Sequence, residues 1–240
     1  MVIADMGYDF SNKLVLITGG TGALGRAVVE AFSASKAASV TTYISDREGE
    51  SPMGKVKTVD LIKADITKEG QVIKLVSDIV QKHGRIDVLV NVVGGYVGGK
   101  RVSELEANEW DTMMTLNLKS SFLISKHVLP VMVRAKQGKI VHISSRTALK
   151  SGGYDSAYAS SKSGLIRLVE SISEEVKELG INANCILPSI IDTDANRKAM
   201  PNADFSKWVK TVDLANLVLF LCSEEAKAIN GAAIPAYGLA

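Results

Sequence analysis

Cysteine and histidine are both scarce in this chain. Only two cysteines, Cys185 and Cys222, occur among 240 residues, and each lies in an apolar stretch. Cysteines in such surroundings are typical of buried free thiols rather than of a disulfide or redox centre. The three histidines, His83, His127 and His142, are far apart in the sequence. None belongs to a cluster with the spacing of metal ligands, so we expect no metal site.

An excess of one charge is also missing, as are long hydrophobic runs. The 28 basic and 26 acidic residues are interspersed along the chain and leave a net charge of +2. Without a basic stripe, nucleic acid and anionic lipid are poor partners, and we expect small molecules instead. The apolar run 214–222 is far too short to cross a bilayer, and residues 1–13 contain no signal-peptide core. These absences predict a cytoplasmic protein with no membrane partner.

Short β-branched segments alternate with longer segments of helical periodicity. The predicted strands cover residues 13–18, 39–44, 56–64, 86–91, 138–144, 181–187 and 232–237. The predicted helices cover residues 24–35, 70–84, 110–133, 158–180 and 211–224. The alternation predicts an α/β fold in one domain, residues 1–240, with a Rossmann-type doubly wound parallel sheet of about seven strands and helices on both faces. Ligands of such sheets bind at the carboxyl ends of the strands.

A glycine-rich turn follows the first predicted strand. The stretch "GGTGALG" supplies a G-x-G-x-x-G pattern through Gly20, Gly22 and Gly25. Such glycines let backbone N–H groups approach a pyrophosphate, and the last one allows close packing of helix on strand. The position between the first strand and the first helix favours dinucleotide binding over a merely tight turn. The predicted contacts in this turn are Gly19, Gly20, Thr21, Gly22, Ala23 and Leu24.

Several motifs occur in a fixed order along the chain. They are "TGGTGALG" at 18–25, Asp65 after the third strand, "NVVG" at 91–94, Asn117, Ser145 and "YASSK" at 158–162. In order and spacing, residues 13–240 resemble the short-chain dehydrogenase/reductase superfamily, in its single-domain branch. The resemblance implies an NAD(P)-dependent oxidoreductase that moves hydride between a nicotinamide and a small carbonyl or hydroxyl compound. Two departures, the spacing of the glycine turn and "NVVG" in place of N-N-A-G, bear on the subfamily rather than on cofactor binding.

Four residues match the catalytic positions of the family. By resemblance, Tyr158 is the general acid/base, and Lys162, one helical turn later, also binds the nicotinamide ribose. We expect the ammonium of Lys162 to lower the pKa of the phenol from about 10. Ser145, which precedes Tyr158 by thirteen residues, would bind the substrate oxygen, with Ser144 as the competing choice. Asn117 matches the helix asparagine that holds a water in the proton relay.

The end of the second strand bears on the choice between NADP(H) and NAD(H). The position where NAD-preferring members carry an acid falls on Ile44, at the start of a polar loop, 44–55. The missing acid, together with Ser45 and Arg47, slightly favours NADP(H) over NAD(H), although Asp46 could reverse the preference.

The resemblance also implies contacts with the rest of the cofactor. Asp65 matches a position that contacts the adenine, and it could equally be the N-cap of the following helix. The remaining cofactor contacts expected from the resemblance are Ile66, Asn91, Gly94, Tyr158, Lys162, Pro188 and Ile191.

The predicted substrate pocket lies beside the catalytic residues. It is lined by Tyr96, Ser145, Arg146 and Tyr154, and the segment that follows "LPSIIDT" is a predicted lid. The glycine-rich stretch "GGYVGG" could instead be a flexible loop tip. Locally, "GGTGALG", "VGGYVGG" and residues 196–208 are similar to quinonoid dihydropteridine reductases, which reduce a pterin without needing the serine. A pterin reductase and a non-catalytic dinucleotide-binding sensor are therefore the alternative functions.

The helices also predict self-association. The helix at 110–133 and the one that begins at Tyr158 carry apolar or small residues on more of their circumference than one sheet face covers. Relatives pair these helices in dimers and tetramers. We therefore expect a homotetramer or homodimer.

Overall fold

A computed structural model describes residues 7–49 and 58–239. The strands are β1 (Leu14–Thr18), β2 (Ala38–Tyr43), β3 (Val59–Lys63), β4 (Val88–Asn91), β5 (Gly138–Ile143), β6 (Ile181–Pro188), β7 (Ile191–Asp192), β8 (Val209–Lys210) and β9 (Ala233–Ala236). Seven of them form a parallel sheet in the order β3-β2-β1-β4-β5-β6-β9, and β7 pairs with β8 outside it. The predicted fold class, a doubly wound parallel sheet of Rossmann type, is confirmed.

Helices cover both faces of the seven-stranded sheet. They are α1 (Ala23–Ala34), α2 (Asp46–Gly49), α3 (Glu69–His83), α4 (Ala107–Met113), α5 (Ser120–Ala135), α6 (Ser156–Val176), α7 (Asp194–Ala199) and α8 (Thr211–Cys222). The core on one face includes Phe32 of α1 and Leu219 of α8, and the core on the other includes Leu75, Ile124 and Ile166 of α3, α5 and α6. Because both faces are covered, β1, β4 and β5 are buried at every position.

The predicted helix at 110–133 differs most from the structure. It is divided into α4, a π-helical turn at Met114–Lys119, and α5. A π-helical turn accommodates one extra residue in a helix, and an apolar pattern that continues on both sides of it does not reveal the change. The predicted helix at 158–180 begins earlier, at Ser156, and ends at Val176, where a 3-10 turn takes over.

The polar segment after β2 is only partly a loop. Residues 46–49 form the short helix α2, because the Glu48 carboxylate accepts a hydrogen bond from the Ile44 N–H at 2.9 Å and closes the turn. Residues 50–55 of the predicted loop, and residues 56 and 57 of the strand predicted at 56–64, lie outside the described residues. Where the chain is described, β3 runs from Val59 to Lys63.

Features that would point to other classes of protein are not found in the described ranges. No helix there has both the length and the apolar character needed to cross a membrane. The same residues contain no group of three histidine, cysteine or acidic side chains that could hold a metal ion. Cys185 and Cys222 are free and buried, and burial raises the pKa of Cys185 to about 12.

Candidate active site

The turn between β1 and α1 depends on glycine at two positions. A Cβ at Gly20 would overlap the Thr41 side chain, and a Cβ at Gly25 would overlap the backbone of Gly19. Both positions therefore need glycine for packing. The close approach of helix and strand expected at Gly25 is present.

Gly22 differs from these glycines because no residue of the described ranges comes closer than ordinary van der Waals contact to a Cβ placed there. It is the N-cap residue of α1 with an extended backbone, φ −72°, and a Cβ there would meet only the Gly19 carbonyl oxygen, at 3.5 Å. Among the described residues no side chain caps α1, and its first turn contains no acidic residue. The free N–H groups and the helix dipole thus face open space at the carboxyl edge of the sheet, which fits a pyrophosphate.

The residues after β2 place charges of both signs near this edge. Ile44 is exposed, and the Asp46 carboxylate next to it forms an ion pair with Lys63 of β3, with Nζ and Oδ1 2.6 Å apart. The acid that would favour NAD(H) is therefore partly neutralised by a lysine. Ser45 lies at the start of α2, and the side chain of Arg47 lies outside the described part of the chain.

Asp65 shapes the loop after β3 rather than the start of α3. Its carboxylate accepts hydrogen bonds from the N–H and the hydroxyl of Thr67, at 2.9 and 2.6 Å. The N-cap of α3 is Lys68, so the expectation of an Asp65 N-cap is wrong. The reason is an additional turn, in which the Lys68 N–H donates to the Asp65 carbonyl at 3.0 Å before the helix begins. The side chain of Ile66, expected at the cofactor, belongs to the core.

A buried polar network joins the ends of the central strands. The Asn91 amide nitrogen lies 2.8 Å from Ser121 Oγ and 3.1 Å from Nδ1 of His142, and its oxygen accepts a hydrogen bond from Thr18. The other ring nitrogen of His142 lies 3.0 Å from Ser125 Oγ. Because Nδ1 accepts from the amide, the proton is assigned to Nε2. Burial lowers the pKa of His142 to about 3, so the ring is neutral.

This network changes the interpretation of Asn91. Its side chain links β1, β4, β5 and α5, and both N–H bonds of its amide are used within the network. Sequence reasoning missed His142, Ser121 and Ser125 as members of the network. The available signals were a histidine inside an otherwise apolar strand and two serines four residues apart on one helix.

Asn117 lies in the π-helical turn and is wholly buried. Its side-chain nitrogen donates to the Gly95 carbonyl and to Ser161 Oγ, both at 3.1 Å, and its oxygen accepts from the Gly95 N–H at 2.9 Å. Ser121 donates to the Asn117 carbonyl at 2.9 Å and so connects it to the buried network. Asn117 therefore holds the glycine-rich loop after β4 against α6.

That loop is ordered by several contacts. A Cβ on Gly94 would lie 2.9 Å from Asn117 Oδ1 and 3.0 Å from Lys162 Nζ, so the backbone of Gly94 runs beside both polar groups. Further along, the Gly99 N–H donates to the carbonyl of Tyr154 at 2.9 Å. These contacts are typical of a loop that lines a site, and they are not expected for a flexible loop tip.

The expected effect of Lys162 on Tyr158 is not found. The Lys162 ammonium donates to the Ile143 carbonyl at 2.8 Å, and burial lowers its pKa to about 8. Burial also raises the pKa of Tyr158, whereas a hydrogen bond with Ser145 lowers it and the Asp155 carboxylate raises it. The two side chains lie one helical turn apart, but the Lys162 ammonium is bonded to the last residue of β5. Tyr158 is consequently a phenol at neutral pH.

Ser145 and Ser144 have different surroundings. The Ser145 hydroxyl is within hydrogen-bonding reach of Tyr158, and it also lies 3.0 Å from Thr147 Oγ1. The Ser144 hydroxyl is buried and donates to the backbone carbonyl of Lys162 at 2.9 Å. Of the two serines, Ser145 is therefore the one beside the phenol.

Aromatic side chains surround Tyr158. The ring of Tyr96 packs edge-on against it, with centroids 5.0 Å apart, and the Tyr96 hydroxyl donates to Asp155 at 2.7 Å. That bond raises the pKa of Tyr96 to about 12. Tyr154 is exposed, and the Arg146 guanidinium lies 5.6 Å from the ring centre of Tyr237. All four residues of the predicted substrate pocket thus lie around the end of β5 or the loop that faces it.

The predicted lid after β6 is a folded unit. Pro188 ends β6, Ile191 lies in β7, and β7 pairs with β8. Arg197 of α7 donates two hydrogen bonds to the Asp192 carboxylate, at 2.6 and 2.8 Å, and its guanidinium lies over the Phe205 ring. Strands of two residues are too short to give a periodic signal, and sequence reasoning missed both.

The profile of the short chain dehydrogenase family matches residues 13–204. The chain belongs to the short-chain dehydrogenase/reductase family. A family relative, the 3-oxoacyl-(acyl-carrier-protein) reductase of Thermotoga maritima, is 29% identical over 237 residues, which cover 92% of this chain and 95% of the relative. Tropinone reductase-like 1 of Erythroxylum coca is 32% identical over 235 residues, with 91% and 86% covered.

A solved structure agrees with the family assignment. ElxO with NADP bound matches this chain with a TM-score of 0.88 at 28% identity, and the match covers 94% of this chain and 97% of that one. The chain is therefore an oxidoreductase of the short-chain dehydrogenase/reductase type with the nucleotide-binding fold of that family.

Proposed function

We propose that this protein is an NADP(H)-dependent reductase of small carbonyl compounds in which Tyr158 is the general acid. The observation that carries the proposal is the phenol of Tyr158 within hydrogen-bonding reach of the Ser145 hydroxyl, with Lys162 and Asn117 beside the glycine-rich loop that faces it. A general acid must hold its proton at the working pH, and burial ensures this for Tyr158.

Residues at the carboxyl edge of the sheet fit the cofactor. The open N-terminus of α1 at Gly22 would hold the pyrophosphate, and Lys162 would bind the nicotinamide ribose, as the family resemblance implies. The bound cofactor would supply the hydride. NADP(H) is preferred over NAD(H) because Asp46 is paired with Lys63, and because a solved relative holds NADP.

The mechanism assigns a separate task to each side chain. The Ser145 hydroxyl donates a hydrogen bond to the carbonyl oxygen of the substrate and stabilises the negative charge that develops there. Tyr158 gives its proton to the same oxygen. Lys162, whose pKa of about 8 leaves it mostly protonated at pH 7, donates to the Ile143 carbonyl and would hold the nicotinamide ribose, and the phenolate of Tyr158 recovers its proton from solvent. Asn117 fixes the loop that forms the opposite wall.

The test is NADPH and NADH oxidation by the purified protein against a panel of ketones, aldehydes and a quinonoid dihydropterin. We expect faster turnover with NADPH and at least one reduced carbonyl compound. Tyr158→Phe should lower kcat by about 10²–10⁴-fold and leave NADPH binding intact. Undiminished turnover in Tyr158→Phe would refute the assigned role, and tight cofactor binding without any oxidation would instead support the sensor function.

A variant of Ser145 distinguishes the carbonyl reductase from the alternative, a pterin reductase. Ser145→Ala should abolish the reduction of carbonyl compounds, whereas a pterin reductase that does not need the serine would keep its rate on the quinonoid dihydropterin. The cytoplasmic location, the organisation as one domain and the homo-oligomeric state expected from the sequence stay predictions.

A further inference from the structure

A cavity of about 490 Å³ lies at the edge of the sheet opposite the candidate active site. It is formed around the amino ends of β5 and β6, and its volume is within the range of small-ligand pockets. Its charged lining consists of Lys13, Lys136, Lys139, Lys177, Lys227 and Glu224. The lining therefore contains five ammonium groups and one carboxylate.

Helix ends account for some of these lysines. Lys136 follows α5 and Lys177 follows α6, where the helix dipole favours a cation, so neither requires a ligand. Lys13 and Lys139 have no such explanation. Lys13 directly precedes β1, and Lys139 is the second residue of β5.

Lys139 is the most informative residue of the cavity. Its side chain is 8% exposed, and its ammonium donates to the neutral amide oxygen of Asn182 at 2.7 Å. Among the residues that the structure describes, its polar partner is Asn182 and it forms no ion pair, and Glu224 acts on it only from beyond ion-pair distance. The neighbouring Cys222 thiol is buried with a raised pKa and supplies no negative charge.

A buried ammonium without a counter-charge is costly, and burial lowers the pKa of Lys139 accordingly. An anion in the cavity would supply the missing charge. Because several ammonium groups converge on one space, a ligand with more than one negative charge fits better than a single carboxylate.

We propose that this cavity binds a small phosphate-bearing polyanion, with Lys139 and Lys13 as its main contacts. The site is separate from the cofactor site, because Lys139 and Ser145 lie at opposite ends of β5, about 20 Å apart along the chain. Occupation of the cavity would stabilise the amino ends of β5 and β6 without blocking Tyr158.

The proposal is tested by calorimetric titration with inorganic tripolyphosphate at low ionic strength, in a Gly22→Asp background that repels phosphate from the N-terminus of α1. We expect Lys139→Gln to weaken binding at least tenfold. Lys74→Gln, which removes an exposed lysine on α3, is the matched control and should change the affinity less than twofold. Lys13→Gln, which leaves the strand interior untouched, provides a second measurement if Lys139→Gln folds poorly.

Equal affinity in the parent, Lys139→Gln and Lys13→Gln would overturn the proposal, as would an equal loss in Lys74→Gln. Because heat of binding is measured, the result does not depend on reductase activity. In the enzyme without the Gly22 change, Lys139→Gln should keep the parent rate of NADPH oxidation.

Discussion

Burial determines the charge of the residues on which the candidate site depends. Lys162 and His142 both have lowered pKa values, about 8 and about 3, because their charged forms are removed from water. Tyr158 has a raised pKa for the same reason. At neutral pH the region therefore contains a phenol that can act as a general acid, a largely protonated amine, and a neutral imidazole in the buried network beneath them.

His142 should make the protein sensitive to acid. The unfolded chain binds a proton at this histidine below about pH 6.5, and the folded protein does so only near pH 3, so stability is lost as the pH falls between these values. The loss at this residue is about 5 kcal/mol over that range. Urea denaturation from pH 7 to pH 4 should show a steeper decline for the parent than for His142→Gln. Parallel curves for the two proteins would contradict the assignment.

Substitutions of Gly22 should change the affinity for the cofactor much more than the free energy of unfolding. Gly, Asn and Asp are all good N-cap residues, so Gly22→Asp and Gly22→Asn should change the free energy of unfolding by only about a few tenths of a kcal/mol. The carboxylate would repel a pyrophosphate, and we expect Gly22→Asp to weaken NADPH binding at least tenfold more than Gly22→Asn does. Fluorescence titration with NADPH measures the difference. Equal affinities of the two variants would argue against a phosphate at this position.

Two irregular elements give the site its shape. The π-helical turn directs Asn117 toward Gly95 and Ser161, and the segment after β6 is folded by the pairing of β7 with β8. π-Helical turns are often found at functional sites because the extra residue displaces a side chain from the regular helix pattern. Here Asn117, which lies in the displaced segment, hydrogen-bonds both backbone groups of Gly95 and acts as a clamp on the loop after β4.

Asn117→Ala should release that clamp. Both backbone groups of the half-buried Gly95 would lose their partner, at a cost of about 1 kcal/mol each, so we expect a lower free energy of unfolding and a loss of NADPH-dependent turnover. Ser161→Ala removes one bond to Asn117 but leaves both bonds to Gly95, and it should keep most of the turnover. Urea denaturation and steady-state kinetics on both variants test this. Equal losses of turnover would show that the clamp on Gly95 is not the important contact.

At the scale of the molecule, the two edges of the sheet have different chemistry. The carboxyl edge holds the open helix N-terminus, Ser145 and Tyr158, and the amino edge holds the lysine-lined cavity. Parallel strands cause this division, because they place all strand ends of one kind on the same side. The helices on the outside, α4 and α5, also expose the apolar side chains of Trp110 and Phe122.

The exposed apolar surface of α5 leads to a prediction about assembly. We expect light scattering at micromolar concentration to give the mass of a homotetramer of 25.6 kDa chains. Phe122→Glu places a charge on a side chain that is 45% exposed on α5 and should lower that mass. Ile73→Glu, at a side chain that is 50% exposed on α3, is the control and should leave the mass unchanged. A monomeric peak for the parent protein would contradict the prediction.

The sequence by itself determined the alternation of strands and helices, the glycine turn at Gly20, Gly22 and Gly25, and the positions of Tyr158 and Lys162 on one helix face. These features depend on residues close together in the chain, so a local pattern records them. The resemblance to the family also favoured Ser145 over Ser144, through its spacing of thirteen residues from Tyr158.

Tertiary structure decided the features that depend on distant residues. The pKa of Tyr158 is raised because the fold buries it, and Lys162 bonds to Ile143 rather than acting on the phenol. The role of Asn91 depends on His142, 51 positions away in the chain, and the neutral partner of Lys139 is 43 positions away. Such contacts form only when parallel strands are brought side by side, and no local periodicity encodes them.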